Sequence, residues 1–359
     1  MGQNENLEII SALDELEKSK GISKQVLLEA LEAALVSAFK RHYGSSQNVR
    51  ISIDTVKGNI LVLSRRNVVE EVQDSKTQVS LEEARHTDPL IEIGDVLETE
   101  VTPREFGRIA AQTAKQVVVQ RIREAERGII YEEFSNREGD VVTGTVHRYE
   151  QKNVIVELGK IEAMIPLQEQ ISGEVYSPGQ RIKCYVIEVR KTNKGPMIML
   201  SRTHPGLLKR LLELEVPEIT DGTVEIKSIA REPGSRSKLA VSSHDPNVDP
   251  VGACVGPRGT RIQAVVNELC GEKIDVIPWS EDSSQFVSNA LSPARVLGVK
   301  ADVISKVAQV VVPDNQLSLA IGREGQNARL AAKVTGWKID IKSQSQSGEN
   351  FMPSFEVDF

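Results

Sequence analysis

At 359 residues the chain is long enough for two to four domains, and with 40% hydrophobic, 26% charged and only 4% aromatic residues it can fill several small cores with few large rings. A net charge of −7 argues against a uniformly basic nucleic-acid coat. The lack of an apolar run long enough to span a membrane, and a polar Met1–Asn6 without a basic start, argue against a membrane or secreted protein and point to the cytoplasm.

The charge is unevenly placed. Residues 1–137 hold 18 basic and 23 acidic groups, against 18 and 17 in residues 202–342. The acid excess therefore sits early in the chain, and the later part is free to present local basic patches. Cys184, Cys254 and Cys270 form no CxxC, and His42, His86, His147, His204 and His244 lack ligand spacing, so neither a metal nor any cofactor is expected. Cys254 and Cys270 lie among apolar neighbours and read as small core residues.

In chain order, Ser23 caps a helix with Leu27, Leu31, Ala34, Leu35 and Ala38 on one face, ending near Lys40 and Arg41 with Gly44 beyond. Val49–Thr55 and Asn59–Ser64 alternate and read as a hairpin turning at Lys57-Gly58, with a further strand at Val96–Val101. Arg104–Arg127 follows as a long helix, its stripe made by Ile109, Ala110, Ala114, Val117, Val118 and Ile122. From Gly139 to Arg202 come five short strands, Val141–Tyr149, Val154–Leu158, Ala163–Ile165, Arg181–Val189 and Met197–Leu200, the pattern of a small barrel.

The strongest signal is an internal repeat. VGPRGTRIQAVVNELCGEKIDVI and IGREGQNARLAAKVTGWKIDIK each place Gly-x-x-Gly between an apolar segment and an amphipathic helix, then close on Lys-Ile-Asp. Before each glycine pair a helix and two strands are read: Leu207–Leu214, Val224–Ile229 and Lys238–Val241, then Phe286–Ala290, Val296–Val299 and Val307–Val312. Two glycines so spaced let a phosphodiester approach the backbone, and they leave helix N-terminal N–H groups facing it.

The repeat resembles tandem KH domains of the bacterial variety, type II, whose GXXG loop clamps about four nucleotides. GDVVTGTVHRYEQKNVIVELGKIEAMIP resembles the S-one-type OB fold. That face offers only His147 and Tyr149 for base stacking, so weak RNA binding or a spacer role is expected of it. With FGRIAAQTAKQVVVQRIREAER, LSRTHPGLLKRLLELEVPEI, AIGREGQNARLA and GWKIDI, the chain from Leu7 to about Ser343 resembles the NusA family of bacterial transcription elongation factors.

The resemblance implies a multidomain α+β chain: an N-terminal αβ polymerase-binding domain at 1–137, the OB barrel at 138–201, KH domains at 202–278 and 279–343, and a disordered tail at 344–359. It implies a monomer without catalytic activity whose partners are RNA polymerase, single-stranded nascent RNA and other Nus factors, acting in pausing, termination and antitermination. RNA contacts are expected from Gly256, Pro257, Arg258, Gly259 and Arg261, and from Gly322, Arg323, Glu324, Gly325, Asn327 and Arg329. SQSQSGENFMPSFEVDF lacks the acidic helical repeats of some family members, so functions tied to them are not expected. The competing readings are an RNA-binding accessory of an exoribonuclease and a ribosome-associated KH protein. No Walker GxxxxGK or carboxylate cluster favours the first, and the N-terminal αβ segment disfavours the second.

Overall fold

The computed structural model describes residues 23–43, 48–54, 59–103, 105–159, 161–347 and 355–356, with isolated positions before residue 23. Met1–Asn6, Gly44, the Lys57-Gly58 turn and Arg104 lie outside the described residues. The chain divides into two compact units, Met1–Ile130 and Tyr131–Phe359.

In the first unit, α1 (Lys24–Tyr43) buries Leu27, Leu31, Leu35 and Phe39 at the three-to-four spacing that its apolar residues dictate. Strands β1 (Val49–Ile53) and β2 (Ile60–Val69) form the expected antiparallel hairpin, pairing Ile51 with Val62. Between them and β4 (Val96–Glu100), which pairs antiparallel with β2, lie two elements that the sequence pattern did not indicate. These are β3 (Gln78–Ser80), parallel to β2, and α2 (Leu81–Thr87), capped by the Ser80 hydroxyl accepting from Glu83 N at 3.3 Å. The long helix α3 spans Phe106–Ser135, ending eight residues beyond the expected Arg127. Its Phe106, Ala110 and Ala114 close on Leu31, Leu35, Phe39, Val49, Ile51 and Val62.

In the second unit, β5 (Val141–Glu150), β6 (Asn153–Glu157), β7 (Glu162–Ile165), β8 (Arg181–Thr192) and β9 (Gly195–Ser201) close into the expected five-stranded barrel. Gly144 is required there because a Cβ would stand 2.3 Å from Val156 Cγ1 on the facing strand.

The repeat then appears in three dimensions. The first copy is α4 (Pro205–Glu215), α5 (Pro217–Thr220), β10 (Val224–Glu232), β11 (Arg236–Ser243), α6 (Pro250–Val255), α7 (Thr260–Glu268) and β12 (Lys273–Pro278). The second is α8 (Ser283–Ala290), β13 (Gly298–Asp302), β14 (Val307–Val312), α9 (Leu317–Ile321), α10 (Gln326–Thr335) and β15 (Lys338–Ser343). In each, an antiparallel pair is followed by a parallel closing strand: Lys273 stands opposite Arg236, and Lys338 opposite Val307. The two Lys-Ile-Asp segments thus occupy one place in one topology.

The copies share a core, in which Ala230, Ala240 and Ile277 of the first pack with Phe286, Val299, Val310, Leu330 and Val334 of the second. Cys254 is buried as expected, but Cys270 is exposed with φ of 55°, because it lies in the turn leaving α7 rather than on its apolar face. Of the segment expected as a disordered tail, Gln344–Ser347 forms α11 after β15 and Phe355–Glu356 forms β16, paired antiparallel with Gly298 and Val299, and residues 348–354 and 357–359 lie outside the described residues. The outer edge of β13 supplies the unpaired N–H and C=O groups that such a segment can join.

Candidate nucleic-acid interface

Each glycine pair lies between two helices, α6 and α7 in the first copy and α9 and α10 in the second. The two loops have the same backbone. Gly256 has φ 75° and ψ 170°, and Gly322 has 77° and 169°. Arg258 lies at 54° and 23°, and Glu324 at 52° and 27°. Gly259 and Gly325, at φ 76° and 74°, are left-handed. The opening glycine is in a region that side chains essentially cannot enter. At Gly322 a Cβ would also stand 2.8 Å from the backbone nitrogen of Asn327, and at Gly256 it would stand 2.7 Å from Arg261 Cγ.

Those two contacts identify a common brace. Asn327 and Arg261 each lie five residues beyond their opening glycine and reach back to carbonyls of the preceding helix. Asn327 Nδ2 donates to Ala320 O at 3.0 Å and to Leu291 O at 3.0 Å, and its side chain is buried. Arg261 Nη1 donates to Ala253 O at 2.7 Å and to Glu218 of α5 at 2.9 Å. Arg329 makes a third tie: its Nε donates to Glu232 of β10 at 2.6 Å, and Nη1 donates to Glu324 O of the loop at 3.1 Å. Gln326 joins the same strand end through Glu232 at 2.9 Å and Ser235 at 2.7 Å. The Arg329 bond holds the Glu232 carboxyl below its ordinary range.

Apart from the four glycines, the residues expected to touch RNA therefore fall into two groups. Pro257, Arg258, Arg323 and Glu324 are exposed at the loop tips between their glycines. Asn327 is buried, Arg261 half-buried and Arg329 exposed, and each bonds other parts of the protein as a support for the loop would. Sequence reasoning missed Glu218, Glu232, Gln326 and Ser235, because each partners a residue at least 43 positions away and no local pattern marks it. Beside the second loop, Leu319 and Ile321 of α9 are 44% and 38% exposed, an apolar surface over which bases could lie.

On the barrel, the outward bulge after Val146 exposes His147, Arg148 and Tyr149. Arg148 and His147 both bond Glu162 and hold its carboxyl down to about 2. Arg148 is thus already engaged by a carboxylate on this face, which also presents the exposed ring of Tyr149. Among the described residues no group of His, Cys, Asp and Glu is placed to hold a metal ion, and no helix is long and apolar enough to cross a membrane.

Family models match along the chain: a NusA N-terminal domain over residues 8–128, an S1 RNA binding domain over 135–201, a NusA-like first KH domain over 202–279 and a NusA-like second KH domain over 283–349. The chain is 60% identical over 344 residues to the transcription termination/antitermination protein NusA of Halalkalibacterium halodurans, covering 96% of this chain and 90% of that protein. The protein of the same name from Bacillus subtilis is 60% identical over 342 residues, with 95% and 92% covered, and that of Thermus thermophilus 47% over 348, with 94% and 90%. The solution structure of the N-terminal domain of NusA from B. subtilis is 55% identical and covers 34% of this chain and 98% of that one, with a TM-score of 0.32.

Proposed function

The chain belongs to the NusA family of transcription termination/antitermination proteins, and from that premise we propose that it couples RNA polymerase to the emerging transcript without catalysing a reaction. In this reading residues 1–137 bind the polymerase, while residues 138–201, 202–278 and 279–343 hold single-stranded nascent RNA in the cytoplasm as the chain modulates pausing, intrinsic termination and, with other Nus factors, antitermination. The polymerase assignment rests on the family and on the acid excess of residues 1–137, which is poorly suited to RNA.

The observation that carries the RNA reading is the pair of loops with one backbone, each tipped by exposed residues and leading into the N-terminus of a helix of nine or ten residues. N–H groups at such a terminus favour a phosphate, and glycine lets the phosphate come close. Pro257, Arg258, Arg323 and Glu324 are the contacting side chains, and Arg261, Asn327 and Arg329 hold the loops in shape.

Native RNA polymerase serves as bait for the full chain and for a chain lacking residues 1–137, and the same two proteins are titrated with labelled single-stranded RNA. The shortened chain is expected to lose the polymerase and keep the RNA. Undiminished polymerase binding by the shortened chain would overturn the division of roles.

A further inference from the structure

The two loops share a backbone but not a charge. The third loop position is Arg258 in the first and Glu324 in the second, within 4° of one another in φ and ψ, so the two side chains leave equivalent backbones in the same direction. Arg258 is exposed, and among the described residues no carboxylate stands within ion-pair distance of it. In the second loop Arg323 faces Glu324 at 3.9 Å, and Arg329 behind it is held by Glu232 at 2.6 Å. Both arginines of the second loop thus stand beside an acid, and the Glu324 side chain remains 83% exposed at the tip.

We propose that the loops divide the work: Arg258 makes the first loop the electrostatic anchor for the RNA backbone, and Glu324 keeps the second loop free of net attraction so that it selects rather than grips. This rests on the reading of both loops as the RNA site. Phosphate contacts carry affinity and salt dependence but little sequence information. A second cationic loop would therefore add grip to every strand alike and dilute whatever discrimination the base contacts provide. A carboxylate at the tip withholds that uniform attraction, and a strand stays in the second loop only when its bases fit the surface beside Leu319 and Ile321.

The chain supplies its own control for folding, since arginine and glutamate already occupy this left-handed position in the two copies. Arg258→Glu and Glu324→Arg each install a residue that the same backbone accepts elsewhere in the molecule, and unchanged melting midpoints are expected. The full chain and the variants Arg258→Glu, Glu324→Arg and Arg323→Glu are titrated by fluorescence anisotropy with long single strands of mixed sequence, polyuridine, polyadenine and polycytosine, at several salt concentrations.

Arg258→Glu is expected to weaken every strand about tenfold, the scale of one charge-assisted bond, and to lower the salt slope by about 0.7, one phosphate contact. Glu324→Arg is expected to strengthen every strand several-fold, raise the slope by about 0.7 and narrow the spread of affinities among the homopolymers. Arg323→Glu should change affinity much less than Arg258→Glu. Equal losses from Arg258→Glu and Arg323→Glu, or no gain from Glu324→Arg, would overturn the division of labour and leave the loops as the RNA site. Silence in all three variants would remove the loops from that site and overturn both readings.

Discussion

The Arg202 guanidinium and the Glu174 carboxylate meet where the barrel joins the first repeat, each side chain only 1% exposed. Arg202 also donates to Lys183 O at 2.8 Å in β8 and to Glu268 O at 2.9 Å at the end of α7. Glu174 accepts in addition from the Tyr176 hydroxyl at 2.7 Å. Removing Arg202 leaves the buried Glu174 carboxylate with the Tyr176 hydroxyl but without its counter-charge. Arg202→Met is expected to cost about 3–5 kcal/mol in urea unfolding of the full chain, and Arg202→Met with Glu174→Met to recover most of it. Equal losses in the single and double variants would show that the pair is not the source of the cost.

The same pair sets a direction for acid sensitivity. Burial works to raise the Glu174 carboxyl, and the Arg202 bond and charge, with Tyr176 and Cys270, outweigh it and hold the group below its ordinary 4.5. A carboxylate depressed in the folded state stabilises it above that ordinary value and loses the contribution as pH falls through the lower folded one. Urea midpoints should therefore drop below about pH 4.5 more steeply in the native chain than in the double methionine variant. Parallel curves would refute the assignment.

The opening and closing glycines of the second loop should differ in tolerance. Gly322→Ala meets a backbone nitrogen at 2.8 Å and a forbidden φ,ψ region together, whereas Gly325→Ala at φ 74° meets only Arg329 Nη1 at 4.0 Å, an ordinary contact. The first is expected to cost more than about 2 kcal/mol and the second about 1 kcal/mol, read from thermal unfolding. A larger loss at Gly325 would contradict the packing described.

Asn327→Ala removes the donor that satisfies Ala320 O and Leu291 O. A loss of about 1–3 kcal/mol in stability is expected, with RNA affinity at the second loop falling because the loop is no longer braced. Weakened RNA binding at unchanged stability would instead make Asn327 a direct contact.

The native chain should release few ions on binding RNA. With Arg148 and Arg329 already paired internally and Arg258 unpaired among the described residues, roughly two to five phosphate contacts are expected, at about 0.7 per contact in the salt slope for single strands. A slope near ten would indicate a broad basic surface.

The two loops could be read from the sequence because their chemistry is local. Gly256 and Gly322 must be glycine for backbone reasons, Gly259 and Gly325 sit where glycine is favoured, and recurrence with the same flanks removed chance as an explanation. The barrel strands were visible for the same reason, as alternation and turns are short-range. The supports were not. Arg261 depends on Glu218, Arg329 on Glu232 and Asn327 on Leu291, pairings made only when distant strands and helices assemble. The sequence beside the glycine loops therefore carries no sign that these arginines also have partners within the fold. The three-residue β3 and the exposed turn at Cys270 escaped because neither is long enough to show a period.

The common core of Ala230, Ala240 and Ile277 with Phe286, Val299, Val310, Leu330 and Val334 makes the two repeats one thermodynamic body. The second copy completes its interior with side chains of the first, whose own cluster of Leu207, Leu211, Leu239 and Val265 lies beside it, so a single shared melting transition is expected. Amides of β11 and β14 should exchange with solvent in a single shared opening. A cut after Pro278, at the expected boundary between the repeats, is expected to sever this shared core and leave the second fragment with an exposed apolar face.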